Sequence, residues 1–434
     1  MRVSRLFICL IAAAVLSCRG NHSASNDDTQ KVEISIPEYY IEYLDAKSQE
    51  IQKLKQNEAD GFFYWTDSHY PENGGNTVAI INYLQNKVGT CLVFNGGDAA
   101  KNSDNLKTGL DGNTPTFEMA ASHNLFFPIR GNHDYTSSTS RDALNPETMD
   151  EKQVYEYLAT YRSQAAVMNA SELYSNYYYV DSPKGKVRYI VMDTTDSVED
   201  SKVVYGMSNA QLEWIFGTAI NTLPQGWSIA FLSHVPLTPE HTTTKSINKA
   251  AELMSEAASS HNILFCLSGH RHSDIETGVG SIFLILTESD CLEDTGRPRT
   301  PYSIADKKKV AGTINEQTID YVSISKDHKI VTMKRIGHGF DRVFHVCPIT
   351  VKVNGAVQLS SYSGGSVKWF AYDAEGSKVG SYGEDGYRDF QTKHQNAIIS
   401  ETGLVRGLTA GTSSIVVATN ESGTKEYYMI KTIN

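Results

Sequence analysis

Hydrophobic residues recur along this chain at two spacings, which alternate as far as residue 342. Residues 36–57 have the three- and four-residue spacing of a helix with one buried face. Its apolar stripe consists of Tyr40, Leu44, Ile51 and Leu54. The same spacing predicts four more helices, at residues 76–87, near 115–122, at 150–166 and at 208–219.

Short apolar runs between and after these helices predict strands. Five of these runs lead directly into polar motifs: GFFYWT, CLVFNG, LFFPIR, WSIAFL and NILFCL. The runs at 177–180 and 187–193 predict an antiparallel pair, and those at 281–288 and near 320–336 predict closing strands. Strands that alternate with helices in this way indicate the α/β class, and periodicity alone indicates no more than that class.

The pattern changes beyond residue 344, where the helical spacing disappears. Runs such as ITVKVNG, SVKWFAYDAEG and KEYYMIKT lie between Gly, Ser and Asn turns, which predicts a small all-β sandwich over residues 345–434. The stretch GLVRGLTAGTSSIVVAT resembles bacterial immunoglobulin-like domains. We expect Trp369 and Tyr372 to lie in the core of this sandwich, and a ligand platform is the alternative.

Acidic, His and Asn motifs follow five of the predicted strands. In chain order they are Asp67-Ser68-His69, Gly97-Asp98, Gly131-Asn132-His133-Asp134, Ser233-His234 and Gly269-His270-Arg271-His272. Strand ends that converge on one rim of a sheet can gather distant residues into one site. Carboxylate, imidazole and carboxamide groups suit borderline divalent metals. A single D-x-H pair is ordinary in a loop, so the prediction of a metal site depends on all five motifs occurring together.

This set of motifs resembles the calcineurin-like metallophosphoesterases, whose pattern is D-x-H, G-D, G-N-H-D/E, a lone His and G-H-x-H, over roughly residues 60–340 here. The resemblance implies a four-layer α/β/β/α sandwich, here followed by the immunoglobulin-like sandwich, and two divalent metal ions (Mn, Fe or Zn). By resemblance, Asp98 bridges the two metals. The other implied ligands are Asp67, His69 and His272 for the first metal and Asn132, His234 and His270 for the second.

The resemblance also implies a metal-dependent phosphoric ester hydrolase, acting on monoesters or diesters by in-line attack of a metal-bridging hydroxide. The implied catalytic residues are Asn132, His133 and Asp134. The amide of Asn132 would help to stabilise the developing charge, and His133 would act as general acid or hold the phosphoryl group. Many relatives place an acid three residues after the bridging Asp or after the catalytic His, where this chain has Lys101 and Thr136. Asp134 and Asp104 are the candidates to orient His133.

Three further residues are candidates for substrate contact. Arg271 either reaches the substrate phosphate as a bidentate donor or points into solvent. Arg130 either reaches a phosphate or forms a salt bridge inside the fold. Tyr135 begins a polar loop that could form part of the rim of the site.

The N-terminus has the pattern of an export signal. Arg2 and Arg5 precede the run LFICLIAAAVLS, which predicts a secretory signal over residues 1–17 and is too short for an ordinary membrane span. The sequence Leu16-Ser17-Cys18 resembles a bacterial lipobox, which implies a lipid on Cys18; a plain secretory signal is the alternative. The polar residues 18–35 predict a flexible tether. The catalytic domain is therefore expected at residues 36–344, anchored in the cell envelope, and Arg19 in place of Asp favours the outer membrane.

The net charge narrows the set of expected binding partners. The formal net charge of −11 argues against general nucleic-acid binding, which normally requires a basic patch. We expect a small phosphorylated substrate, and the C-terminal sandwich could contact a cell-surface glycan or protein. The alternative function is a non-catalytic envelope adhesion protein that acts through this sandwich. The complete set of predicted ligands argues against that alternative.

Cys91 and Cys266 lie in apolar runs, so we expect them to be buried.

Overall fold

The computed structural model of this protein describes residues 36–70, 75–101, 106–123, 125–134, 149–196, 205–238, 244–291, 309–361, 366–374 and 396–434. Its helices, numbered in chain order, are α1 (Ile41–Lys55), α2 (Gly75–Val88), α3 (Leu106–Ala121), α4 (Glu151–Tyr161), α5 (Asn209–Glu213) and α6 (Lys245–Ala257). A 3-10 turn, Glu38–Tyr40, precedes α1, and a π-helical turn, Trp214–Ala219, continues α5. The predicted signal, the lipid-bearing Cys18, the tether and the residues Asp104, Tyr135 and Thr136 lie outside the described residues.

The strands form three sheets. The first sheet contains, in spatial order, β15 (Val367–Asp373), β18 (Ser413–Asn420), β19 (Lys425–Ile433), β13 (Arg342–Lys352), β12 (Ile330–Gly337), β11 (Thr318–Ser325), β1 (Glu58–Trp65), β2 (Leu92–Asn95) and β3 (Phe126–Pro128). The second contains β4 (Val167–Met168), β5 (Tyr178–Ser182), β6 (Val187–Met192), β7 (Ser228–Ser233), β8 (Asn262–Ser268), β10 (Ile282–Leu286) and β9 (Ile275–Val279). The third contains β14 (Ala356–Gln358), β17 (Leu404–Gly407) and β16 (Ala397–Ile399).

Strand direction determines where the polar motifs meet. In the first sheet, β1, β2 and β3 are mutually parallel, and in the second sheet β6, β7, β8 and β10 are parallel neighbours. The predicted antiparallel pair is confirmed by β5 and β6. All five polar motifs therefore follow the carboxyl end of a parallel strand, where the crevice of an α/β fold lies.

Two helices differ from their predicted bounds. Helix α3 begins at Leu106 instead of near residue 115, because Leu106 and Leu110 are buried against the first sheet. Two glycines and Pro115 weaken the helical signal in that segment. Helix α4 ends at Tyr161 instead of residue 166, because the next residue is extended and the backbone N–H of Ser163 donates to the carbonyl of Phe126.

Three apolar cores separate the layers of the fold. Helices α1 to α4 pack on the outer face of the first sheet, where Leu44 and Phe117 belong to the same core as Trp65. The central core lies between the two large sheets and includes Phe62 and Tyr189. Helices α5 and α6 cover the outer face of the second sheet. The layers therefore run helices, sheet, sheet and helices, and the predicted α/β class is confirmed.

The C-terminal strands continue the first sheet. Strand β13 crosses the predicted domain boundary at residues 344 and 345, and it pairs in parallel with β19. One face of these strands joins the central core through Tyr372 and Met429, and the other face forms a smaller core beneath the third sheet. Tyr372 is buried and Trp369 is half-buried. An immunoglobulin-like domain at residues 345–434 stays a prediction.

The cysteines behave as the sequence predicts where the structure describes them. Cys91 and Cys266 are buried, and the four cysteines of the described residues, with Cys291 and Cys347, are all free. Among the described helices, none combines the length and the apolar character that crossing a bilayer requires.

Candidate metal centre

Five loops at the carboxyl ends of strands from both large sheets converge on one point. The first sheet contributes the loops after β1, β2 and β3, and the second sheet contributes those after β7 and β8. Backbone hydrogen bonds align neighbouring loops: Asp67 N–H donates to Gly97 O at 2.9 Å, and Gly269 N–H donates to His234 O at 3.2 Å. The seven predicted ligands, which are far apart in the chain, thus come together at one rim.

The first group of side chains consists of Asp67, His69, Asp98 and His272, and we call it the first half of the centre. Their ligand atoms all lie within 4.8 Å of one another. His272 Nε2 is 3.1 Å from Asp67 Oδ1 and 3.1 Å from His69 Nε2. His69 Nε2 is 4.0 Å from Asp98 Oδ2. Two carboxylates and two imidazoles therefore bring their ligand atoms together at one point.

The second half consists of Asp98, Asn132, His234 and His270. The ligand atoms of Asp98, His234 and His270 also lie within 4.8 Å of one another. His234 Nε2 is 3.1 Å from Asp98 Oδ2, and the Asn132 amide oxygen lies 3.0 Å from His234 Nε2 and 2.7 Å from His270 Nδ1. Asp98 therefore belongs to both halves, which is the arrangement expected of a bridging ligand.

The donor atoms fit divalent metal ions. The Nδ1 atom of His69 faces the carbonyl of Ala100 at 3.3 Å, and that of His234 faces the carbonyl of Gly96 at 2.8 Å. A carbonyl can only accept, so Nδ1 carries a proton in both rings, and Nε2 is the ring atom available to bind a metal. Nitrogen and oxygen donors of this kind match Mn, Fe or Zn.

The backbone at the centre is locally strained. Among the described residues, positive φ angles occur at the candidate ligands Asp67 (55°), His69 (49°), Asp98 (52°), His270 (67°) and His272 (52°). Residues other than glycine rarely adopt this left-handed conformation, and such strain concentrates at functional sites. Two glycines allow neighbouring loops to approach each other closely. A Cβ at Gly131 would collide with Asp98, and one at Gly269 would collide with Asp67.

Electrostatics keeps the two buried carboxylates ionised. Burial acts to raise the pKa of Asp67 and Asp98, but the neighbouring imidazoles outweigh burial and hold both pKa values below their usual range. Burial lowers the pKa of His69, whereas the carboxylates of Asp98 and Asp67 outweigh burial at His234 and raise its pKa to about 10. A proton on His234 thus takes the place that a metal cation would take.

His133 lies at the mouth of the centre. Its side chain is 40% exposed, and its Nε2 lies 3.9 Å from Asp98 Oδ2. Its ring meets the His69 ring edge-on, with centroids 5.0 Å apart. Its backbone N–H donates to Asp98 Oδ1 at 2.7 Å, which fixes the bridging carboxylate. Within the described residues, the ring of His133 forms no hydrogen bond with a carboxylate that could orient it.

Asp134 stays a predicted catalytic residue, but the contacts of its carboxylate are structural. The side chain is buried and accepts the backbone N–H groups of Gly131, Ala99 and Ala100 at 3.0, 3.3 and 3.0 Å. Burial raises the pKa of this carboxyl, and the charge of Asp98 adds to the effect. Asp134 therefore ties the Asp98 loop to the Asn132 loop, and its carboxylate is committed to these amides.

The described substrate candidates occupy different environments. Arg130 is buried and pairs with Glu151 at 2.8 Å and with Asp193 at 3.4 Å, which are the contacts expected of the internal salt bridge, and its contact with a substrate phosphate stays a prediction. Arg271 lies between His270 and His272 and is half-buried, so its contact with substrate stays a prediction.

Three residues around the centre were not predicted from the sequence. Thr66 donates its hydroxyl to Asp67 Oδ2 at 2.6 Å, and Ser289 donates its hydroxyl to Asp67 O at 3.0 Å. The ring of Tyr205 meets the ring of His270 edge-on, with centroids 5.3 Å apart. Thr66 adjoins a motif and could have been found, whereas nothing local marks Ser289 or Tyr205.

Comparisons with known proteins give distant similarities only. No family model and no curated protein matches the chain. A 5'-nucleotidase from Candida albicans aligns with a TM-score of 0.39 and 14% identity over 62% of this chain and 49% of that one. A putative 5'-nucleotidase from Staphylococcus aureus aligns with a TM-score of 0.35 and 13% identity over 64% and 53%.

A phosphopantetheinyl hydrolase from Mycobacterium tuberculosis aligns with a TM-score of 0.32 and 12% identity over 54% of this chain and 90% of that one. This chain thus spans about half the length of the Candida nucleotidase. These overlaps are too loose to identify a family or an activity.

Proposed function

We propose that this protein is a metal-dependent phosphoric ester hydrolase with a dinuclear centre bridged by Asp98. The observation that carries the proposal is the convergence of seven ligand-type side chains from five distant loops into two groups that share one carboxylate. The two groups have the residue composition that the sequence motifs predict. Two divalent ions that share a bridging ligand are a recurrent arrangement for in-line phosphoryl displacement.

The residues of the chain have separable tasks in this proposal. Asp67, His69, His272 and Asp98 would hold one ion, and Asn132, His234, His270 and Asp98 would hold the other. When bound, two such ions polarise a phosphoryl group and make a hydroxide nucleophile available near neutral pH. The Asn132 amide, held by two imidazoles, can also face the phosphoryl oxygens as charge develops there.

His133 is the proposed proton donor to the leaving group. Its imidazole is exposed at the mouth of the centre, where the leaving-group oxygen of a bound ester would emerge. The absence of an orienting carboxylate among the described residues limits how firmly this ring is aimed. The arrangement therefore favours substrates with good leaving groups, whether phosphodiesters or activated monoesters, because a weakly basic leaving group needs less help from a proton.

The proposed substrate is a small phosphorylated molecule, and the proposed location is the bacterial cell envelope. The location rests on the basic and apolar N-terminal sequence that ends at Cys18, which predicts lipid anchoring. Salvage of phosphate outside the cytoplasm would suit an anchored hydrolase of this kind.

The test compares the folded wild-type protein with Asp98→Asn after loading with Mn or Zn. We expect about two metal ions per chain and hydrolysis of p-nitrophenyl phosphate or its bis-ester in the wild type, and loss of both in the variant. The ratio of the two rates separates a monoesterase from a diesterase. A folded wild-type protein with neither metal nor turnover would contradict the proposal.

A further inference from the structure

A cluster of buried charged side chains lies directly beside the candidate metal centre. It consists of Asp274, Glu276, Asp320, Arg335 and Arg342, which we call the ionic clamp. Glu276 lies in β9 of the second sheet, Asp274 is the residue directly before that strand, and both arginines come from the first sheet. All members except Asp274 are at least 95% buried, and the Asp274 side chain is 16% exposed. The clamp thus joins the two sheets at the end where the metal-binding loops lie.

Asp274 places the clamp next to the candidate ligands, because it stands two residues after His272 in the chain. Its Oδ1 atom accepts from Arg335 Nη2 at 2.7 Å and lies 3.3 Å from Arg342 Nη1. The same atom accepts the backbone N–H of Glu288 at 3.1 Å. The turn that carries His270 and His272 therefore ends at a residue with three separate anchors.

The two arginines are themselves fixed by several partners. Arg335 donates to Asp320 through Nε at 2.9 Å and to the carbonyl of His338 through Nη1 at 2.8 Å. Arg342 donates to Glu276 at 3.2 Å and to the carbonyl of Leu286 at 2.8 Å. Both donate to the hydroxyl of Thr287 at 3.1 Å. A guanidinium presents its donors in a rigid fork, so each arginine holds its partners in a defined geometry.

The clamp also reaches Asp67 from behind. Glu288, whose N–H the clamp holds, is followed by Ser289, whose hydroxyl donates to the backbone carbonyl of Asp67. The backbone N–H of His270 in turn donates to the Asp67 carboxylate at 3.0 and 3.2 Å. Two routes therefore connect the clamp to the first half of the centre, one through the His270 turn and one through Ser289.

We propose that the ionic clamp positions the turn carrying His270 and His272, so that the strands beginning at Arg342 support the metal centre as well as extending the sheet. This inference rests on the proposed metal-binding function of that turn. The strained φ angles of His270 and His272 supply the physical reason, because a strained turn persists only where its surroundings hold it.

The C-terminal strands reinforce the same segment. The Tyr372 hydroxyl donates to the carbonyl of Glu276 at 2.9 Å, and the Thr277 hydroxyl donates to the carbonyl of Ala374 at 2.9 Å. Both contacts fall on β9, the strand that follows Asp274. The C-terminal region that begins at Arg342 thus contributes this arginine to the clamp, and further along the chain it forms hydrogen bonds with β9.

The test compares Asp274→Asn with a matched control, Asp181→Asn, in the full chain. Asp181 pairs with the buried Arg188 through two hydrogen bonds of 2.7 and 2.8 Å, also in the second sheet. Arg188 pairs with Ile229 near the start of β7, at the end of the sheet opposite His234. The control therefore removes a similar ion pair without touching the metal-binding rim.

Two measurements are made at a temperature well below the midpoint of thermal unfolding of each protein. The first is backbone hydrogen exchange of the segment 268–275 in metal-free protein, and the second is the apparent Kd for Mn by chelator competition. We expect exchange on the order of tenfold faster and a Kd about tenfold weaker in Asp274→Asn, with neither change in Asp181→Asn. If Asp274→Asn does not fold, Arg342→Lys takes its place in the same comparison. This variant keeps the positive charge and loses the forked set of guanidinium donors.

The outcomes separate the inference from the proposed function. If both variants have the exchange rate and the Mn affinity of the wild type, or if both change in proportion to their loss of thermal stability, the clamp has no positioning role. A wild-type protein that binds no Mn contradicts the proposed function, and the exchange comparison in metal-free protein then decides the inference alone.

Discussion

The two halves of the candidate metal centre share Asp98 and differ in their remaining ligands. The first half adds a carboxylate, Asp67, to its two imidazoles, whereas the second half adds the neutral amide of Asn132. The first half therefore has one more negative charge among its ligands. A divalent cation gains more Coulomb energy there, so we expect the first half to bind its metal more tightly.

The two halves also differ in how they are held. Asp67 accepts from Thr66, from the His270 backbone and, at its carbonyl, from Ser289, so the first half depends on the ionic clamp behind it. The second half takes His270 from the turn that the clamp is proposed to position, and it adds contacts of its own, with Asn132 between two rings and His234 on the carbonyl of Gly96. Charge strengthens the first half, and short local contacts stabilise the second.

The largest effect is expected from Asp98→Asn, because Asp98 is the residue that both halves share. Loss of the bridging charge should release both metals and lower hydrolysis by on the order of 10³, which corresponds to several kcal/mol of transition-state stabilisation. Metal content by elemental analysis, together with the rate, checks this outcome. Retention of one tightly bound metal would show that the halves are independent and would contradict the shared role of Asp98.

His133→Ala should have the next largest effect, and it should not distinguish the halves. His133 lies at the mouth beside the shared carboxylate, so we expect both metals to stay bound while turnover falls by about 10². The loss should be greater for an alkyl phosphate ester than for a nitrophenyl ester, because the alkyl leaving group needs a proton. Equal losses on the two esters would argue that His133 holds the phosphoryl group and does not act as an acid.

Exchanging the two distinguishing residues should alter the halves selectively. Asp67→Asn should weaken binding of the tighter metal by at least about 100-fold. Loss of a direct ligand should cost more affinity than loss of a residue that only holds a ligand in place. Asn132→Asp should tighten the weaker metal and bring the two affinities together. Stepwise titration by calorimetry measures both constants. Two unequal affinities that neither exchange alters would contradict the charge argument.

The smallest effect on the centre is expected from Asp290→Asn. Asp290 lies behind the first half, where its backbone N–H donates to Thr66 O, and its carboxyl accepts from Thr77 and from the Thr318 N–H. Burial raises its pKa from 3.8 to about 7, and Lys309 partly offsets that rise. We expect the substitution to leave metal content and turnover nearly unchanged.

The same substitution should change how stability depends on pH. A carboxyl with a raised pKa in the folded state contributes stability that is fully present below about pH 4 and is lost as the pH rises through 7. The loss is at most about 4 kcal/mol for a shift of this size. Unfolding of Asp290→Asn followed from pH 4 to 8 should therefore show a flatter profile than the wild type. An unchanged profile would show that Asp290 is ionised throughout.

The side chains that the sequence predicts as ligands come together in the structure, and they could be selected because each motif is short and lies at a strand end. Asp98 and His234 are recognisable without knowledge of what packs around them. The same reasoning could not assign Asp134 to three backbone amides or Arg130 to Glu151, since a charged residue beside a motif has the same sequence signature in either role. Contacts made at long range decide between the two.

The C-terminal region shows a second limit. Alternating runs beyond residue 344 predict strands correctly, but a two-residue period does not specify which sheet a strand joins. The parallel pairing of β13 with β19, and the contact of Arg342 with Glu276 in the ionic clamp, depend on partners many residues away. The alternation of apolar and polar residues therefore predicts the strands of this region but not their attachment to the metal-binding rim.

The most direct test of the central claim is anomalous diffraction from crystals of the full chain loaded with Mn. We expect two peaks about 3.5–4 Å apart, with the Asp98 carboxylate between them and the Asp67 and Asn132 groups on opposite sides. The peak beside Asp67 should keep the higher occupancy as the Mn concentration is lowered. A single peak, or peaks away from Asp98, would contradict the dinuclear centre.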